Sequence, residues 1–126
     1  MAKTSRRIAV VDDDPAVLKA LARLLSARSF IAKTYQSAAQ FLDSLVAEGR
    51  PDCLIVDLQM PEMTGLELQQ NLNARNLRIP TIIITAHNES GMHDRCKSAG
   101  AIAYLLKPVH NTSLFAAIEA AHLTGP

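Results

Sequence analysis

Ile8–Val17, IAVVDDDPAV, runs four apolar residues directly into three consecutive aspartates and a proline. The apolar run has the character of a strand buried on both faces. Asp14-Pro15 then reads as a helix N-cap followed by proline at the first helical position. A buried strand that turns at once into a helix is the opening unit of an alternating α/β chain. The aspartates raise a second question. Two carboxylates about 4 Å apart at an effective dielectric of about 20 repel by about 4 kcal/mol. Such a cluster is either solvated or built to receive positive charge.

The pattern repeats along the chain. Further apolar runs are Phe30–Tyr35, Cys53–Val56, Thr81–Ile84 and Ile102–Leu106. Four of the five carry consecutive apolar residues and predict strands buried on both faces. The second, FIAKTY, alternates around Lys33 and predicts an edge strand. Between the runs, helical spacing links Val17, Leu21, Leu24 and Leu25, then Ala38, Phe41, Leu42 and Leu45. It also links Leu68 with Leu72, and Leu114 with Ile118 and Ala121. Ser37 and Gly49 bracket the second helix, and Asn111 is placed to cap the last. The stretch Asn88–Ala99 has only Met92, Cys96 and Ala99 as an apolar stripe, with Gly91 near its start, and predicts the loosest helix. Strand–helix alternation repeated five times, with right-handed crossovers, predicts a doubly wound parallel sheet with helices on both faces.

Composition sets the bounds. The 126 residues are one domain's worth, with 48% hydrophobic and 20% charged residues and a formal net charge of +1. No bulk field draws the chain to nucleic acid or to an acidic membrane. Lys3, Arg6 and Arg7 read as a solvated start rather than a nucleic-acid arm. No apolar run reaches the about 20 residues of a membrane span, and no signal peptide is evident. Cys53 and Cys96 lie far apart without metal-ligand spacing, which fits a reducing cytoplasm and argues against zinc or a disulfide framework. His87, His93, His110 and His122 lack paired metal spacing and read as surface residues, while Met60 and Met63 read as packing.

Four apolar runs end in reactive polar residues: Asp12, Asp13 and Asp14 after IAVV, Asp57 after CLIV, Thr85 after TIII, and Lys107 after IAYLL. In an open parallel sheet these are the carboxyl ends, where ligands bind. Asp12, Asp13 and Asp57 offer oxygen ligands suited to a hard divalent ion, Mg²⁺ foremost. Lys107 adds a mobile positive charge and Thr85 a hydroxyl donor. A carboxylate beside a metal, a lysine and a hydroxyl can form an aspartyl phosphate. Asp14 reads instead as the helix cap.

VVDDDP, LIVDLQMPEMTGLEL, IIITA and YLLKP, in that order and spacing, resemble the receiver domain of bacterial two-component response regulators, over about Arg7 to Ala121. The resemblance implies one receiver domain over residues 1–126, with its core at about 7–121. It implies a flavodoxin-like fold with strand order 2-1-3-4-5. It implies that Asp57 accepts a phosphoryl group from a sensor histidine kinase or a phosphotransfer protein. Asp13 would be a direct Mg²⁺ ligand, Asp12 would act largely through water, and the Gln59 backbone carbonyl would complete the protein ligands. Lys107 and Thr85 would stabilise the phosphoryl group. Thr85 and Tyr104 would form the switch that alters the surface of the fourth helix, fifth strand and fifth helix. Lys107-Pro108 would be a cis peptide, Pro61 and Gly65 would shape the loop after Asp57, and Gln59 and His87 would tune the lifetime of the phosphorylated form. The partners implied are the kinase or phosphotransfer protein, an output domain or target, and a second copy of the domain on phosphorylation.

TYQSAAQFL and the KPV ending resemble nitrogen-fixation-type regulators, in which a helix-turn-helix domain follows the receiver. The tail LTGP fits a short end or the stump of a linker. Two other classes stand beside the signalling switch. An aspartyl phosphohydrolase of the haloacid-dehalogenase kind needs a carboxylate two residues past its nucleophile, where this chain has Gln59. A binding module without phosphotransfer would not need the full set of site residues.

Overall fold

The computed structural model describes residues 6–124. These form five strands and five helices in strict alternation: β1 (Arg7–Val11), α1 (Pro15–Ala27), β2 (Ile31–Tyr35), α2 (Ala38–Glu48), β3 (Cys53–Asp57), α3 (Gly65–Ala74), β4 (Thr81–Thr85), α4 (Met92–Ser98), β5 (Ala103–Leu106) and α5 (Asn111–Thr124). The strands pair in parallel in the order β2-β1-β3-β4-β5. This is the flavodoxin-like doubly wound sheet. Among the described residues no helix is long and apolar enough to cross a membrane.

Strand periodicity of two divides the core. Ala9, Val11, Leu54, Val56 and Ile83 face one side, where Phe41, Leu68, Leu72 and Cys96 of α2, α3 and α4 pack on them. Ile8, Val10, Ile55, Ile82 and Ile84 face the other, against Leu18, Leu21 and Leu25 of α1 and Leu114 and Ile118 of α5. Each fully buried side chain of this size is worth about 1.5–3 kcal/mol of transfer free energy.

The helix signals hold at most ends. Asp14 caps α1, its Oδ1 accepting from the Ala16 amide at 2.9 Å, with Pro15 opening the helix. Ser37 caps α2, and Gly49 ends it with φ of 77°. Thr64 and Glu67 form a reciprocal capping box at α3.

Three expectations are corrected and one is extended. β5 is not buried on both faces, and Leu106 is 47% exposed, because β5 is the edge strand opposite β2. Asn111 does not precede α5; it is the first helical residue, and the His110 carbonyl accepts from Leu114. The α1 stripe also takes in Leu18, which is buried with Leu21 and Leu25, while Val17 and Leu24 pack partly buried against the same core. Arg6 and Arg7 are tied to the fold rather than solvated. Arg6 pairs with Glu119 at 2.8 Å and lies over the Phe30 ring, and Arg7 donates to the Glu48 carbonyl. Lys3, Gly125 and Pro126 lie outside the described residues.

Candidate functional site

The chain leaves β1 for β2 on one side and then places β3 on β1's other side. This reversal opens a crevice at the carboxyl ends of β1 and β3. Register fills it. Val11 pairs with Val56, so Asp12, one residue past β1, comes beside Asp57, the last residue of β3. Thr85 ends β4, and Lys107 follows β5, its amide donating to the Thr85 carbonyl at 2.8 Å. The Lys107–Pro108 peptide is cis.

Asp12, Asp13 and Asp57 bring one carboxylate oxygen each to within 4.8 Å of one another. Asp12 and Asp57 are buried and Asp13 is exposed, so the cluster opens to solvent on one side only. Three oxygen donors in a half-open site suit a hard divalent cation that retains part of its water, and the donor set contains no nitrogen or sulfur to favour a softer metal. Lys107 provides the positive charge present in the protein itself. Its Nζ lies 2.9 Å from Asp12 Oδ2 and 3.5 Å from Asp57 Oδ2. The remaining Asp12 oxygen accepts from the Asp14 amide at 2.9 Å, and Asp57 Oδ1 has a longer contact of 3.4 Å with the Gln59 amide.

Burial holds the Asp57 carboxyl above the ordinary aspartate range, and the neighbouring Asp12 charge adds to this; Lys107 and the Gln59 amide pull the other way without cancelling it. Burial pulls the Lys107 ammonium down, but the Asp12 hydrogen bond and the two carboxylate charges outweigh it and leave Lys107 raised. Asp57 is thus an incompletely neutralised carboxylate and is only 5% exposed.

Thr85 is fully buried, and its hydroxyl is engaged by the next turn: it donates to the His87 carbonyl at 3.1 Å and accepts from the His87 amide at 3.2 Å. The role of His87 seen here is therefore one of backbone. Tyr104 is half-buried on β5, and among the described residues its hydroxyl is buried without a hydrogen-bond partner. Burial raises that phenol, with Cys96 and Glu89 adding to the effect. The Tyr104 ring stacks on His93 of α4 with centroids 4.8 Å apart and planes 11° from parallel.

Gly65 supports Asp57 from below. A Cβ there would lie 2.7 Å from the Asp57 carbonyl oxygen and 3.1 Å from Leu58 Cα, so only glycine lets α3 start this close to β3. Met60 is buried and Met63 packs against the same core, as their apolar character predicts.

Sequence reading missed two contacts around this site. Gln59 Nε2 donates to Glu89 Oε1 at 2.7 Å, and His93 stacks on Tyr104. Glu89 lies in a polar stretch with no periodic signal, and only the position of the loop after β4 brings it to Gln59.

Residues 8–119 match the model of the response regulator receiver domain. The transcriptional regulatory protein FixJ of Rhizobium meliloti (strain 1021) is 38% identical over 118 residues, which is 94% of this chain and 57% of that protein. The response regulator protein TmoT of Ectopseudomonas mendocina is 39% identical over 119 residues, 94% of this chain and 54% of its own length. The chain thus spans little more than half the length of these relatives. The crystal structure of FixJ-N superposes with a TM-score of 0.87 at 36% identity, covering 97% of both chains. With the switch-point crevice, its acidic cluster and its lysine matched by this span of similarity, the chain belongs to the receiver domains of two-component response regulators.

Proposed function

We propose that the chain acts as a single phosphorylation-dependent signalling switch whose acceptor is Asp57. The observation that carries this reading is the placement of Asp57: a buried carboxylate at the switch point, raised by burial, with Asp12, Asp13 and Lys107 around it. The donor is a phosphohistidine on a sensor histidine kinase or a phosphotransfer protein. An Asp57 oxygen attacks phosphorus in line with the departing imidazole nitrogen. The P–N bond breaks, a P–O bond forms, and the imidazole leaves neutral after taking a proton from solvent. Hydrolysis later returns inorganic phosphate and the free carboxylate. The domain assists both events and turns over no external substrate.

Asp13, Asp57 and the Gln59 carbonyl are the proposed Mg²⁺ ligands, with Asp12 reaching the ion through water. When bound, the ion neutralises charge on the carboxylates and on the incoming phosphoryl oxygens. Lys107 shifts from Asp12 toward the phosphoryl oxygens, where a point charge on a flexible stem is effective. Thr85 exchanges its His87 backbone contacts for the phosphoryl group. Tyr104 then changes rotamer, and the surface of α4, β5 and α5 is remodelled for an output domain, a target or a second copy. The phosphoryl group needs only to bias two conformations that are close in energy. Gln59 and His87 tune its lifetime. This chemistry belongs to the cytoplasm, and the domain itself binds neither nucleic acid nor membrane.

Incubation with a small phosphodonor and Mg²⁺ tests the reading by intact mass. The wild-type chain gains one phosphoryl group and Asp57→Asn gains none. A gain that survives in Asp57→Asn, or no gain in the wild type, refutes it.

A further inference from the structure

The β4–α4 loop has few internal means of holding its position. Ala86 to Ser90 are all exposed. The helix that follows, α4, has seven residues and a single buried one, Cys96. Its N-cap, Gly91, has φ of 79° and supplies no side-chain cap. Inside the loop, the Met92 amide donates to the Glu89 carbonyl at 3.1 Å, which closes the turn on itself without fixing it to the sheet. The Thr85 hydroxyl anchors the start of the loop through the His87 amide and carbonyl; beyond His87, contacts from other elements help set where the loop lies.

One such contact comes from the acceptor's own loop. Gln59 Nε2 donates to Glu89 Oε1 at 2.7 Å, a short bond to a charged acceptor. Gln59 is two residues past Asp57, and its backbone amide faces Asp57 Oδ1 at 3.4 Å. The side chain thus spans, at the protein surface, from the end of β3 to the loop after β4. A second contact, the His93–Tyr104 stack, holds α4 against β5. Against these stands the buried Tyr104 hydroxyl, which has no partner among the described residues and costs free energy in this arrangement.

We infer that Glu89 is a positioning residue for Gln59, and that the Gln59–Glu89 bridge is a latch holding the β4–α4 loop over the acceptor, so that it gates the passage of phosphodonor and water to Asp57. The inference rests on the reading of Asp57 as phosphoacceptor. Opening the latch exposes Asp57 to both reagents, so phosphorylation by a small donor and loss of the phosphoryl group accelerate together. Because the two side chains act as one bridge, breaking it from either end has the same effect once.

The test combines Gln59→Ala, Glu89→Ala, the double variant and Glu89→Gln, which retains an acceptor oxygen for the Gln59 amide. Phosphorylation by a small phosphodonor with Mg²⁺, and subsequent phosphoryl loss, are timed by intact mass. Each single alanine variant is expected to accelerate both rates about threefold to tenfold, the scale of one exposed hydrogen bond to a charge. The double variant is expected to go no further, and Glu89→Gln to stay within about twofold of wild type. Unchanged rates, or single effects that multiply in the double variant, overturn the latch while leaving Asp57 as acceptor. Amide hydrogen exchange of the unphosphorylated proteins supplies a readout without phosphotransfer. Exchange at Met92 should be faster in Glu89→Ala and unchanged in Glu89→Gln. If the wild-type chain takes no phosphoryl group, the functional reading fails and this exchange pattern alone decides the latch, equal exchange in all proteins overturning it.

Discussion

Lys107 touches two carboxylates unequally, at 2.9 Å for Asp12 and 3.5 Å for Asp57. It cannot fully neutralise both, and Asp57 is left raised by burial and by Asp12. A carboxyl raised in the folded state costs stability wherever it is ionised in both states. That cost is complete above its folded value and disappears as pH falls below the ordinary aspartate range. Without divalent ions, Asp57→Asn is therefore expected to melt a few degrees higher than wild type near pH 7, and the difference is expected to close by about pH 3–4. Thermal denaturation in a chelator across pH checks this; a lower melting temperature at pH 7 contradicts it. Asp12, Asp57, Thr85 and Lys107 were legible in the sequence because each is a polar residue at the end of an apolar run. Glu89 and His93 were not, because their partners Gln59 and Tyr104 are reached only through loop and helix placement.

At the scale of elements, the position of Asp57 depends on how closely α3 begins beneath β3. The Gly65 amide donates to the Leu58 carbonyl at 2.9 Å, and a methyl group at Gly65 would collide with the Asp57 backbone. Gly65→Ala is expected to destabilise the fold by about 1–3 kcal/mol and to slow phosphorylation by displacing Asp57. Chemical denaturation together with the phosphorylation rate checks it; wild-type values for both would show that the loop yields freely. Element ends were legible where local chemistry is strong, as at Asp14-Pro15 and Ser37. They were misread at Asn111, a good cap residue that the chain instead uses one position inside α5. Local preference yields there to the packing of Leu114 and Ile118 against the sheet. The apolar run of β5 misled in another way. Consecutive apolar residues predict two buried faces, but an edge strand has neighbours on one side only, and strand order decides which strands are edges.

For the whole molecule, the doubly wound class followed from alternation alone, whereas strand order came with the family resemblance. Periodicity fixes which residues are apolar on a strand but not which strand lies beside which. The Arg6–Glu119 pair, separated by 113 positions, likewise exists only once the sheet has brought the start of β1 to α5. The order β2-β1-β3-β4-β5 is what turns scattered strand ends into one crevice. Covalent mapping of the phosphoryl group tests that convergence most directly. The protein is treated with a small phosphodonor and Mg²⁺, reduced with borohydride, which converts an aspartyl phosphate to homoserine, and digested for peptide mass analysis. The account predicts homoserine at position 57 alone. Reduction at another carboxylate, or none after a mass gain has been recorded, would contradict it.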